Sequence, residues 1–568
     1  MNDFPDVTRP TAMLDFKPAP EAPWNRQSLR IPREDETLFS RPSLHEAVEL
    51  ARRNRSLLSG AVVNLQGRTL QILREWSRRE VLSAAYRYTS KLLGEALAET
   101  PGELIFTAGH QPSLFHPGVW VKNFSISEMA SRTGGVALNL IIDNDTISTT
   151  RIRVPTGERR RPTIETVSFD EDRLAQPWED INIVNQKLFR TFGERLVKKM
   201  SGWNIVPLVD EMWPDAVSQL SRSTSLRDGL TAARQRLERR WGLANLELPI
   251  SRICALDPFM WFASHIFAQL PRFREVHNQV LREFRRVNRI RSRTHPVPEL
   301  QQKPDGWLEA PFWMWRIGER RRKRVFVKPI GREIHISDGH EVFAKLPLTS
   351  ESEACCAVEV LRELPAQGIR LRTRALTTTL FTRLCLCDLF VHGIGGAKYD
   401  EMTDRIIARF YRLAAPDFLT LSATLHIPLA EPFDATPNDV RRLQTFARDL
   451  EHNSNRHLTP GLNTNADALI AEKRTLISEQ QSAAVGGLSH RRRRLRRREN
   501  YDRFRRFQDV NRRLSEFTAD QSRRAIAELE FVHWQLEANA VLKDRELSFC
   551  LFPAENLRSF MTNLWTPS

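Results

Sequence analysis

Residues 106–123, FTAGHQPSLFHPGVWVKN, set two histidines, a glutamine, a lysine and an asparagine among aromatic rings. Gly109 allows a ligand to approach the backbone closely. His110 and Gln111 are short-range donors and acceptors, and Pro112 and Pro117 hold the loop that carries them. His116 follows six residues after His110, and Lys122 and Asn123 fall near the start of the next helix. A helix N-terminus and a lysine both favour a phosphate or carboxylate. The second cluster is IIDND, where Asp143 and Asp145 alternate at a strand end and are expected on one face, with Asn144 on the other. Paired carboxylates there suit a general base, an amine or ribose ligand, or a hard metal. The third is HGIGGAKYDE, with His392, Gly395, Gly396, Lys398 and Tyr399. Adjacent glycines leave amides free for an anion nest, and Lys398 adds positive charge. Upstream, Arg372 and Arg374 share a strand face and can clamp a carboxylate bidentately. Taken singly, each cluster also reads as a structural loop or turn cap.

Other chemistries lack their residues. There is neither a GxxxxGK[ST] loop nor GxGxxG, no GxSxG, and HEVF at 340–343 lacks the second histidine of a zinc protease. The six cysteines form no CxxC pair, so they are expected as small buried hydrophobes, with Cys385 and Cys387 on one strand face. No metal ligand set is assigned.

Hydrophobic periodicity supplies the elements that must position these clusters. Residues 1–40 read as an extended lead-in, and 41–100 as helices opened by the capping box Ser43–Glu46. Residues 101–170 contain LIFTAG, a helix from near Val119, and GVALNLIIDND, a βαβ unit expected to be parallel and right-handed. The polar clusters follow its strands, where open α/β sheets bind ligands. Residues 171–305 read as a mainly helical insertion, 306–350 as a small antiparallel β insertion, and 351–437 as the second part of the α/β core. From 438 to 545 the pattern is a helical arm, with Asn438 as a cap, Gly486–Gly487 as a hinge, and a seam of Phe504, Phe507, Val510, Leu514 and Phe517. Residues 546–568 are apolar enough to return to the core.

A chain of 568 residues needs more than one core, and its 41% hydrophobic and 27% charged residues fit a globular protein. No secretory signal and no clean membrane span is visible, so a cytoplasmic protein without a membrane partner is expected. The net charge is +16, of which residues 490–506 contribute +8 from ten arginines and two acids. One basic block marks an accessory patch more readily than a whole nucleic-acid surface.

The three clusters resemble the bacillithiol-biosynthesis cysteine-adding ligase family. That family carries a TGQQPGLFTGP-type segment after a strand, an apolar strand ending in EDHD, a GGPGE…Y turn and a C-terminal coiled coil. Here TAGHQPSLFHPG, LIIDND and HGIGGAKY follow in the same order. Gly109, Gln111, Pro112, Leu114 and Phe115 match the first segment, and Asp143 and Asp145 the second. His110 stands at the family's first glutamine, Asn144 at its histidine and Ile142 at an acid, while Lys398 has no counterpart. The resemblance implies an α/β fold with a Rossmann-like core of the nucleotidyltransferase and synthetase kind, helical insertions, and a coiled-coil arm that forms homodimers. It also implies a ligase joining a carboxylate to an amine, as in cysteine addition to glucosaminyl-malate. Under that reading His110 and Asp143 form the acid/base pair and Asp145 orients the amine or a ribose. Lys122, Lys398 and Arg374 hold carboxylate or phosphate, and the partner is a small amino/carboxylate substrate. A nucleotide fits the chemistry, but no motif for one is present. The alternative is a non-enzymatic nucleic-acid- or ribosome-associated protein that binds through the arginine-rich arm.

Overall fold

The computed structural model describes residues 24, 29–100, 102–172, 175–483 and 490–565, without the side chains of 483 and 490–498. It divides into two compact units. One comprises the chain to Val154, Glu165–Ile427 and the segment from Arg545; the other comprises Pro155–Ile164 and Pro428–Asp544.

The first unit is mixed α/β. Five strands run parallel: Ile105–His110, Val136–Ile141, Leu246–Pro249, Leu389–His392 and Leu419–Thr424. Numbered along the chain, they lie in the order 3-2-1-4-5, and Thr37–Arg41 adds an antiparallel edge beside the last. Ile105, Phe106, Leu138, Leu140, Leu248, Val391, Leu419 and Leu421 are all buried, as expected where helices cover both faces of a parallel sheet. The order reverses between Ile105–His110 and Leu389–His392, where Val391 lies opposite Ala108. Open α/β sheets place ligands beyond the carboxyl ends of their strands at such a reversal.

Asp388 fixes that junction. Its carboxylate accepts from Arg74 Nη2 at 2.6 Å, Arg78 Nη1 at 2.8 Å and the Ile105 amide at 2.7 Å, tying both central strands to the helix Leu70–Leu93. The crossover helix runs Pro117–Thr133. Proline at its first position needs no amide partner, and Gly134 ends it at φ 63°.

Several boundaries differ from the sequence reading. Most of the lead-in lies outside the described residues, but Thr37–Arg41 is a sheet edge. Residues 171–305 are not only helical, since Leu246–Pro249 is the third parallel strand; four residues are too few for periodicity to separate from the helices around them. A second, antiparallel sheet joins Leu308–Arg316, Lys323–Ile330, Glu333–Ser337 and Val342–Leu346, and takes Ile369–Thr373 as its fifth strand beside Leu308–Arg316. Arg372 therefore belongs to this sheet rather than to the parallel core. Thr382–Leu386 is a wide helical turn, so Cys385 and Cys387 share no strand face, although both are buried.

The second unit is helical apart from its segment 155–164, the tip of a hairpin between Arg151–Glu158 and Arg161–Ser168. Pro437–His452 packs on Ala519–Leu542, and Thr464–Ala483 on His490–Phe517. Thr436 rather than Asn438 caps the first of these, because its side chain accepts from the Asp439 amide and Pro437 takes the first helical position. Val510 and Leu514 are buried against Leu469, Ile470 and Leu476. Phe504 and Phe517 leave that seam for the exposed side. Gly486–Gly487 lies outside the described residues.

Candidate functional site

The three clusters lie on adjacent strands of the parallel sheet, at their C-terminal ends. Phe115, Leu114, Pro112, His110 and Gln111 form one wall of a narrow cleft, opposite Asn139, Ile141, Leu230, Thr231 and Arg234, with Phe549 closing one side. Its empty space is about 360 Å³, including the part open to solvent. Phe549 is set there by its amide, which donates to the Phe115 carbonyl at 2.8 Å, so the C-terminal segment does return to the core.

His110 lies 3.1 Å from the Gln111 carbonyl through Nδ1, which makes that nitrogen the donor and leaves Nε2 as an acceptor. Burial, and then the Lys122 charge, push its pKa down to about 3, so the ring is neutral at physiological pH. Lys122 is itself buried, donates to the Gly109 carbonyl at 2.9 Å, and is pushed by burial down to about 8. It braces the strand end from below. A side chain at position 109 would press on Ile142 and the Leu140 carbonyl, both 3.3 Å from the added carbon.

Asn123 does not face a ligand freely; its Nδ2 donates to Glu238 at 2.8 Å. Glu238 also takes Arg234 at 2.8 Å, and Arg234 reaches Glu247 with both terminal nitrogens at 2.9 Å. Burial disfavours the Arg234 charge, but Glu238 and Glu247 outweigh it and raise its pKa. The cleft floor is thus fixed by the Arg234 guanidinium, which is bonded to both Glu238 and Glu247. His116 pairs with Glu546 at 3.5 Å.

The paired aspartates separate. The strand ends at Ile141 and the chain turns, so Asp143 and Asp145 do not share a face. Asp143 has no exposed surface. It takes Arg227 Nη1 at 2.7 Å, the Ser251 amide at 2.9 Å and the Ser251 hydroxyl at 2.5 Å. Asn144 is buried and donates to the Thr373 carbonyl at 2.8 Å. Asp145 keeps 41% of its side chain exposed, accepts from Gln111 Nε2, and pairs with Arg322 Nη2 at 3.2 Å. Arg322 also donates to the Asn144 carbonyl at 2.9 Å.

Arg322 leads to a cationic corner. Its guanidinium lies 5.0 Å from the Trp313 ring centroid, and that of Arg374 lies 4.1 Å from the same centroid. Arg374 also donates to the buried Glu309 at 2.7 Å, and Arg324 approaches Glu309 at 3.5 Å. Three guanidiniums thus gather about the Trp313 ring and the Glu309 carboxylate. Arg372 is excluded from this corner because it forks onto Glu179 with two bonds, each 2.9 Å.

The glycine cluster is organised differently. Gly393 caps the helix Ile394–Ile406, so Gly395 and Gly396 lie in its first turn and form no separate nest. Gly395 has open space around it, whereas a side chain at 396 would lie 2.9 Å from His392 Nδ1. His392 is buried and bonds through Nε2 to Asp400 at 3.0 Å; Asp400 takes Arg383 at 2.5 Å. Burial would raise the Asp400 pKa, but Arg383 and His392 hold it well below the usual range. This network props the turn. Lys398 is exposed, and Tyr399 meets His295 at 3.2 Å.

Arg322, Trp313, Arg234 and Phe549 escaped the sequence reading. Arg322 sits in the run ERRRKR, which cannot be told from a solvated charge run, and the others carry no local motif. Among the described residues no group of three or more His, Cys, Asp and Glu side chains could hold a metal ion, and no helix is long and apolar enough to cross a membrane. Against family models and against curated proteins, the chain has no match.

Proposed function

We propose that this protein is a cytoplasmic small-molecule enzyme with a Rossmann-like core that joins a carboxylate to an amine. The observation that carries the reading is the Gln111–Asp145–Arg322 chain, which links the HQPSLF wall to the arginine–tryptophan corner at the carboxyl ends of the parallel strands. Asp145 is the acidic group with exposed surface there, and it holds the ammonium of the amine. Arg322 and Arg374 take the carboxylate, as planar forks suited to it. His110, held neutral by burial and by Lys122, accepts a hydrogen bond from the amine through Nε2; with its pKa at about 3 it takes up no proton, so the amine's proton leaves to solvent. Asp143 holds Arg227 and Ser251 and takes no part in proton transfer.

Condensing a carboxylate with an ammonium in water is uphill, so an activating phosphoryl or nucleotidyl donor belongs to the proposal. The test incubates purified protein with cysteine, glucosaminyl-malate and ATP, then with a panel of other amines and carboxylates, and reads amide products by mass spectrometry. Product is expected, and Asp145→Asn and Arg374→Gln should each lower kcat/KM by about 100-fold, the size expected when one charge-assisted hydrogen bond to the transition state is removed. No product from the panel, or rates indifferent to both changes, overturns the reading.

A further inference from the structure

The charge of the helical arm is distributed very unevenly. Residues 428–544 hold 21 basic and 17 acidic side chains, and 491–498 alone holds seven of the basic ones and no acid, so the remainder is net negative. Those eight residues lie in the continuous helix His490–Phe517. Further along it, arginines are matched by acids. Arg503 meets Glu479 at 3.6 Å and Arg506 meets Glu472 at 3.2 Å on the packed helix, and Arg512 meets Asp509 at 2.6 Å. Two aromatic rings follow the basic run on the exposed side: Tyr501 is 59% exposed and Phe504 55%. The Arg505 guanidinium lies 5.8 Å from the Tyr501 ring centroid.

We propose that this end of the helix binds single-stranded nucleic acid. Arginines neutralise phosphates and release counterions, and exposed rings offer faces on which unpaired bases stack; the two together are the pattern of sequence-tolerant single-strand binding. A duplex keeps its bases stacked on each other and has no use for the rings. An anionic membrane would need an apolar face opposite the charges, but Val510 and Leu514 are already buried against Leu469, Ile470 and Leu476. From Arg491 to Arg505 the helix rises about 21 Å, enough for a short run of nucleotides. The proposal uses none of the cleft residues of the first unit and does not depend on the reaction proposed for them.

The test uses the full chain and fluorescence anisotropy with a labelled oligouridylate of about 20 nucleotides, the matching oligothymidylate and a DNA duplex, and it includes phosphatidylserine vesicles. Oligouridylate affinity should fall about 100-fold or more between about 50 and about 200 mM salt, with both single strands favoured over duplex. Changing Arg491, Arg492, Arg493 and Arg494 together to Gln should flatten the salt dependence. The pair Tyr501→Ala and Phe504→Ala should weaken single-strand binding about tenfold and leave the salt slope unchanged. The aromatic pair is exposed, so its helix content by circular dichroism should match the parent chain. Absence of binding at low salt, binding indifferent to both sets of changes, duplex preference, or capture by vesicles but not by oligouridylate would each overturn the proposal.

Discussion

Asp143 and Asp145 stand two positions apart and meet opposite environments. Asp143 is sealed, with Arg227 and Ser251 on its oxygens; Asp145 has exposed surface and shares Gln111 and Arg322. A buried carboxylate whose partner is a buried guanidinium holds the fold, because removing it strands the opposite charge. Asp143→Ala should therefore destabilise the first unit by about 3–5 kcal/mol, read as a lowered urea midpoint, whereas Asp145→Ala should move that midpoint little. The residue types at this site were legible: Gln111, Asp145 and Arg374 all lie where polar groups converge. Which aspartate was structural was not legible, because the distinction depends on Arg227 and Ser251, both far along the chain.

The crossover helix Pro117–Thr133 shows how an element sets the site. Its second residue, Gly118, packs so closely on the neighbouring strand that an added Cβ would lie 2.3 Å from the Ala423 carbonyl oxygen and 2.7 Å from Arg545 Nη2. Backbone cannot yield as a side-chain tip can, so Gly118→Ala should cost about 1–3 kcal/mol or more and displace the helix start. The expected signature is a Tm several degrees lower, measured by thermal melting. The sequence disclosed this helix because proline, glycine and a change of period mark its start. It could not disclose the strand Leu246–Pro249, or that Ile369–Thr373 pairs with Leu308–Arg316, since short strands acquire their identity from the partner they meet.

At the scale of the whole molecule, several histidines are held neutral by burial. Burial pushes His110 down to about 3 and His265 and His277 to about 4, from an ordinary value of 6.5. Between those limits the unfolded chain binds protons that the fold refuses, so stability is lost as pH falls through this window and is insensitive to these groups above it. The urea midpoint should drop between about pH 7 and about pH 5, and His110→Gln should make that drop shallower. The mixed α/β character and the helical arm could be read from periodicity alone; the order of the strands could not, because it is set by pairings across great spans of chain. Asp388 and Ile105, bonded at the centre of the sheet, are 283 positions apart. A ribosome adding about 5–20 residues each second therefore leaves the strand Ile105–His110, already beside Val136–Ile141, without its other neighbour Leu389–His392 for roughly 15–60 s. During that interval the nascent chain carries an open, apolar sheet edge, the kind of surface that chaperones cover until synthesis catches up.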